Sequence, residues 1–312
     1  PDKETRHHDD DQRAHADEIG LAQRLAQRAG LETHARNRLA QKHRVRLELG
    51  RGRGVLRLRD SSSPFSSLHA SIPGRVVLDG IELLRTSFVK MDRWGLGHVA
   101  QEVLGESKLI EGSDRGEAIL EAFHHDRKKL VDYNLADARL VLDIFDKLHL
   151  IELTVERSRL TGLPLPRVSG SIAAFEFRYM EELSRKRIAA PDAGRYGNST
   201  ADLGGFVLEP EVGLYDHVLV FDFKSLYPSL IRTFQIDPHG LLDAEQVDES
   251  ALQAPNGAAF RRERGILPGM LDDLFPRREA AKQADDKVAS HAIKILMNSF
   301  YGVLGTSACR FY

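Results

Sequence analysis

The chain has 312 residues, 42% of them hydrophobic and 29% charged, a balance that excludes a wholly disordered or collagen-like protein. Its 44 lysines and arginines against 46 aspartates and glutamates leave a formal charge of −2, so no global basic field exists and any nucleic-acid contact must come from a local patch. A single cysteine, Cys309, rules out an intramolecular disulfide and a multi-cysteine zinc site, and no apolar run approaches the roughly 18 residues of a membrane span. The length predicts about two domains, and the chain reads as cytoplasmic.

Residues 1–20 are polar and include His7, His8, Asp9, Asp10 and Asp11, the composition of a solvated, poorly ordered tail. Helical periodicity follows over 18–42 through Ile19, Leu21, Leu25, Ala29 and Leu39. Gly50, Gly52 and Gly54 alternate with Arg51 and Arg53; their spacing is wrong for a phosphate-cradling loop and predicts a basic hairpin-like turn. Residues 61–67, with Pro64, read as a loop. Val76, Val77 and Leu78 read as a short buried strand ending in Asp79, with helices after it at 81–90 and 96–105. Helical patterning is strong from 118 to 150, and a further helix is expected at 170–186, after Pro164 and Pro166. The Gly- and Pro-containing stretch 189–205 is the best domain boundary. Residues 218–223 read as a buried strand, and 269–284 and 288–302 as two helices joined by a polar turn at Asp285 and Asp286.

Three constellations have chemical potential. The first is V-L-V-F-D-F-K-S-L-Y-P-S-L-I at 218–231. Its apolar run places Asp222 at the end of a buried strand, where an ionised carboxylate is costly unless paired or bound to metal. Ser225 is placed to cap the next helix, with Pro228 in its first turn. The plainer alternative makes Asp222 a solvent-facing cap and Tyr227 a core residue. The second is K-I-L-M-N-S-F-Y-G at 294–302. Lys294, Asn298 and Tyr301 fall on one helical face, a polar stripe that suits a phosphate, a sugar or a base, or else an ordinary solvated face. Arg277, Arg278, Lys282 and Lys287 give the neighbouring segment a basic side; in an antiparallel hairpin these cations would converge on one polyanion. The third is Y-N-L-A-D-A-R-L-V-L-D-I-F at 133–145. Tyr133 and Asp137 are i, i+4 neighbours at a helix start, and on spacing alone they read as helix surface.

Together these residues resemble the family B DNA polymerases. D-F-K-S-L-Y-P-S at 222–229 is similar to the family's palm motif A, K-I-L-M-N-S-F-Y-G at 294–302 to its fingers motif B, and Y-N-L-A-D at 133–137 to the third motif of its 3′→5′ proofreading exonuclease. Further stretches resemble a bacterial branch of the family: G-R-V-V-L-D-G-I-E at 74–82, V-A-Q-E-V-L-G at 99–105, G-L-Y-D-H-V-L-V at 213–220 and Y-G-V-L-G-T-S-A-C-R-F at 301–311. The resemblance covers roughly residues 20–312. It implies template-directed addition of deoxynucleotides to a primer 3′-hydroxyl, with primer–template DNA and deoxynucleoside triphosphates as partners. Asp222 and the Phe223 carbonyl would hold two Mg²⁺ ions. Ser225, the Leu226 backbone and Tyr227 would face the triphosphate and sugar, with Tyr227 crowding the 2′ position. Arg278, Lys282 and Lys294 would grip the triphosphate, and Asn298 and Tyr301 would line the nascent base pair. Asp137 would be an exonuclease metal ligand, with Tyr133 orienting the water.

Several family features have no match here. The second metal-binding carboxylate, from a Tyr-x-Asp-Thr-Asp motif, is not found, nor are the first two exonuclease motifs. The linker reads Asp202-Leu203-Gly204-Gly205 where the family usually carries Tyr-x-Gly-Gly. The chain opens on Pro1 and stops at Tyr312 directly after a dense motif, so it is expected to be an internal piece, inactive on its own, of a polymerase associated with the bacterial nucleoid. A sliding clamp would bind through a region outside it. The expected fold is α/β (α+β): a partial ribonuclease H-like exonuclease domain at 1–150, connecting helices and linker at 151–203, a partial palm at 204–264 and fingers helices at 265–312. The incomplete palm sheet should expose an edge. The competing reading is a nucleic-acid or nucleotide-binding remnant without catalysis.

Overall fold

Apolar residues at helical spacing dominate the chain, and helices are what mostly form. The computed structural model describes residues 51–54, 56–60, 68–110, 114–192, 194, 208–223, 225–254 and 256–312. The polar tail, the helix at 18–42, Gly50, the loop at 61–67 and most of the stretch 189–205 lie outside the described residues. Two compact units divide the chain, Pro1–Ile151 and Glu152–Tyr312. The whole is helix-dominated, with small sheets.

In the first unit, strands β1 (Arg57–Asp60) and β2 (Leu68–Ser71) pair antiparallel, with Leu58 opposite Ala70. Residues 51–54 lie beside the segment after β2, where the Arg51 N–H donates to the Pro73 carbonyl at 2.9 Å. Helices α1 (Gly80–Thr86), α2 (Leu96–Leu104), α3 (Arg115–His125) and α4 (Arg127–Lys147) follow. The expected strand at 76–78 does not form, and Val76 is exposed. No described strand lies alongside to take its backbone groups, and Asp79 serves instead as the cap of α1, accepting the Glu82 N–H at 2.9 Å. The long pattern at 118–150 breaks at Asp126, whose side chain accepts the Lys129 N–H at 3.0 Å and starts α4. Leu84, Val99, Ala100, Leu140, Ile144 and Leu150 form the core of this unit, with Trp94 and Phe145 packed against it. Gly80 opens α1 where a Cβ would stand 3.1 Å from the Phe145 ring.

Helix α5 (Leu150–Thr161) runs into the second unit, followed by α6 (Ser171–Arg185), α7 (Leu226–Thr233), α8 (Ile266–Gln283) and α9 (Lys287–Leu304). Three two-residue strands, β3 (Leu241–Leu242), β4 (Leu252–Gln253) and β5 (Ala259–Phe260), form an antiparallel sheet in the order β3-β5-β4. Phe175, Tyr179, Leu267, Leu271, Met297 and Phe300 are buried together between α6, α8 and α9. Each such side chain stabilises the unit by roughly 1.5–3 kcal/mol relative to exposure. In α8 the buried residues end at Leu274, and Pro276 sits inside the helix, where its ring offers no N–H to the preceding turn.

The strand expected at 218–223 is also absent. Residues 208–223 have no regular structure, and Val220 and Phe221 are 90% and 87% exposed. A strand gains its stability from neighbours, and no described strand pairs with this one. V-L-V-F without an interrupting charge or proline is the composition of an aggregating segment. Val220→Lys is therefore expected to lower concentration-dependent light scattering while leaving the melting temperature unchanged. A drop in melting temperature would show that Val220 is packed rather than exposed.

Candidate functional site

Buried apolar positions fix the orientation of α9. Ile293, Leu296, Met297 and Phe300 face the core, so Lys294, Asn298 and Tyr301 are left exposed, as their spacing requires. Helices α8 and α9 pack as a hairpin. The turn between them places Asp285 in the left-handed region at φ 53°, and the Asp286 carboxylate caps α9 by accepting the Ala289 N–H at 2.9 Å.

Helix α7 begins after Ser225, which sits at φ 56° and makes no side-chain capping bond, contrary to the expected role. A left-handed residue at this position turns the chain sharply into the helix. Pro228 and Ile231 are the buried anchors of α7, while Leu226 and Tyr227 are exposed. The Arg232 Nε donates to Asp272 Oδ1 at 2.6 Å, which ties α7 to α8, and Arg264 reaches the other oxygen of Asp272 at 3.3 Å.

The Tyr227 and Tyr301 rings stack face to face, with centroids 4.0 Å apart and planes inclined by 9°. This contact joins the segment at 222–229 to the stripe on α9. About half of each tyrosine stays open to solvent. Asp222 and Phe223 are both exposed rather than at the end of a buried strand, and among the described residues Asp222 has no hydrogen-bond or ion-pair partner. The plainer alternative was half right: Asp222 faces solvent, but Tyr227 is not core.

The cations of the hairpin differ in their surroundings. Lys282 is held by Glu279 on its own helix at 2.7 Å. Arg278 has a buried Nε with no hydrogen-bond partner. Lys294 has neither a hydrogen bond nor an ion pair among the described residues.

A second cluster belongs to the first unit. Tyr133 and Asp137 lie within α4 and are both buried, not on the helix surface. The Lys108 ammonium contacts Asp137 Oδ2 at 2.6 Å and the Tyr133 hydroxyl at 3.4 Å. It also lies 5.5 Å from the Tyr133 ring centroid. Asp137 Oδ1 is buried without a partner. Lys108 stands in a loop far from Tyr133 in sequence, and no periodicity announces it.

A third group, also unannounced, anchors α8. Asp237 is 1% exposed and its Oδ1 accepts from the Tyr179 hydroxyl and from the Leu267 N–H, each at 2.9 Å. The Tyr179 oxygen in turn accepts the His239 N–H at 3.1 Å. Burial, and then the charge of Asp237, push the Tyr179 phenol far above its usual range. A Cβ at Gly265 would stand 2.7 Å from that of Asp237, so the close approach requires glycine there.

Among the described residues no three or more histidines, cysteines, aspartates or glutamates gather as a metal site, and no helix is long and apolar enough to cross a membrane. Asp222 with the Phe223 carbonyl, and Asp137 with its unpartnered Oδ1, are nevertheless hard oxygen donors of the kind Mg²⁺ takes.

Residues 170–312 match the family model of DNA polymerase family B. The chain is 41% identical over 276 residues to DNA polymerase II of Escherichia coli (strain K12), covering 88% of this chain and 35% of that protein. It is 28% identical to DNA polymerase 1 of Pyrococcus abyssi, across 88% of this chain and 37% of the relative. The structure of the family B DNA polymerase from Pyrobaculum calidifontis superimposes with a TM-score of 0.69 at 25% identity, covering 88% of this chain and 37% of the other. The chain thus spans about a third of the length of these relatives. On these matches the chain belongs to DNA polymerase family B.

Proposed function

We propose that the chain carries the nucleotide-binding part of a DNA-directed DNA polymerase, a nucleotidyltransferase acting on primer–template DNA and deoxynucleoside triphosphates. The observation that carries this reading is the Tyr227–Tyr301 stack, which brings motif A and motif B together at one exposed surface. Tyr227, next to the exposed Asp222 segment, bounds the sugar and discriminates at its 2′ position. Lys294, without a hydrogen-bond or ion-pair partner among the described residues, offers its charge to a triphosphate, and Arg278 and Lys282 add theirs from α8. Asn298 and Tyr301 line the base-pair side of the same stripe. Asp222 and the Phe223 carbonyl are the donors available to Mg²⁺, which when bound activates the primer hydroxyl and neutralises the leaving group.

The cluster of Lys108, Tyr133 and Asp137 favours a second activity in the same protein, a 3′→5′ exonuclease site. The unpartnered Asp137 Oδ1 is the atom available to a metal ion, and Lys108 holds the carboxylate and the phenol in place.

Binding of a fluorescent deoxynucleoside triphosphate to the chain, with and without Mg²⁺, tests the polymerase reading. Metal-dependent binding that disappears in Asp222→Ala is the expected result. Salt-sensitive DNA binding with no nucleotide binding, indifferent to Asp222→Ala, would instead make the chain a binding remnant without catalysis.

A further inference from the structure

The corner between α3 and α4 is a dense cationic surface with no role in either site above. Residues 123–129 read F-H-H-D-R-K-K, and all seven are exposed. The Phe123 ring is 39% exposed, meets the His124 ring edge-on at 5.2 Å between centroids, and has the Arg127 guanidinium 5.5 Å from its centre. The carboxylate of this stretch, Asp126, is engaged in capping α4.

Helix physics does not account for this composition. Arg127, Lys128 and Lys129 fill the first turn of α4, which contains no acidic residue. That is the positive end of the helix dipole, where aspartate and glutamate are favoured and cations are repelled. A solvated face usually interleaves the two signs, whereas here three cations run consecutively beside an exposed aromatic ring. Lys129, Tyr133 and Asp137 follow at i, i+4 and i+8, so they lie along one side of α4. Lys129 precedes Tyr133 by about 6 Å along the axis.

We propose that this corner binds the phosphodiester backbone of single-stranded DNA and leads a strand along α4 toward Tyr133 and Asp137. Lys128 and Lys129 contact phosphates, and Phe123, with Arg127 beside its ring, offers a face on which a base stacks. The choice of DNA as the polyanion rests on the polymerase reading above; the presence of a polyanion site rests on the corner alone.

Fluorescence anisotropy of labelled oligothymidylate with the full chain, titrated across salt concentrations, tests it. The double variant Lys128→Ala/Lys129→Ala should reduce the slope of log affinity against log salt by about 1.4, two contacts at roughly 0.7 each. Phe123→Ala should weaken binding on the order of tenfold and leave the slope unchanged. Lys128→Glu/Lys129→Glu should bind at least as poorly as the alanine pair yet melt at a higher temperature, because the acids suit the helix end; loss of binding is then not loss of folding. An unchanged slope in both double variants overturns the proposal, as does a wild-type chain that binds no oligothymidylate or prefers phosphatidylglycerol vesicles to it. Mg²⁺-dependent nucleotide binding is measured on the same samples, so failure of the nucleotide reading is seen separately from failure of the corner.

Discussion

Lys294→Ala is expected to lower nucleotide incorporation by at least about a hundredfold while leaving the fold intact. The side chain is exposed on α9 and has no hydrogen bond or ion pair among the described residues, so its removal should change stability by less than about 0.5 kcal/mol. A cation held without a local counter-ion keeps its full charge for an incoming triphosphate. Lys282 is already balanced by Glu279 and should matter less. Single-turnover incorporation by the full-length protein, set beside a thermal melt, measures both quantities. Near-normal incorporation would remove Lys294 from the site, and a large fall in melting temperature would show that it supports the fold instead.

Asp237→Ala has the largest expected effect on stability, a loss of about 2–6 kcal/mol. The change strands two buried donors, the Tyr179 hydroxyl and the Leu267 N–H, each worth about 1–3 kcal/mol when left unpaired. Asp237→Asn keeps an acceptor oxygen and should recover much of the loss. Denaturant unfolding of the two variants checks the difference, and equal losses would mean that the charge, not the acceptor, matters. The same group has a pH signature. Burial raises the folded-state pKa of Tyr179 above the unfolded value near 10. Its contribution is therefore fully present below about pH 10 and is lost as pH rises toward the folded value, at about 1.4 kcal/mol per pH unit. Tyr179→Phe should flatten this alkaline limb, and a limb of unchanged steepness in that variant would assign it to other groups.

The helices were legible because their signal is local. Residues 96–105 and 170–186 were expected as helices, and α2 and α6 end within a residue of those limits. The stripe of Lys294, Asn298 and Tyr301 was legible for the same reason, since 3.6-residue periodicity is written into consecutive positions. The strands at 76–78 and 218–223 were misread because apolar composition describes what a strand contains, not whether a neighbour is present to pair with it. Tyr227 on Tyr301, Lys108 on Asp137 and Tyr179 on Asp237 share a different difficulty: each joins residues far apart in the chain, and nothing in either local pattern names the other. The resemblance identified Tyr227, Tyr301 and Asp137 individually, but not the contacts that hold them.

Helix α8 is mechanically a beam clamped at one end. Asp237, Gln235 and Arg232 hold its first turns through Leu267, Gly265 and Asp272. Just beyond the clamp, Pro276 removes one rung of the hydrogen-bond ladder, and the residues after it face solvent or are only partly covered. Stiffness is thus lowest where the lever arm begins. A load applied at the far end is therefore expected to flex α8 at Pro276 before it disturbs the clamp or the core behind it.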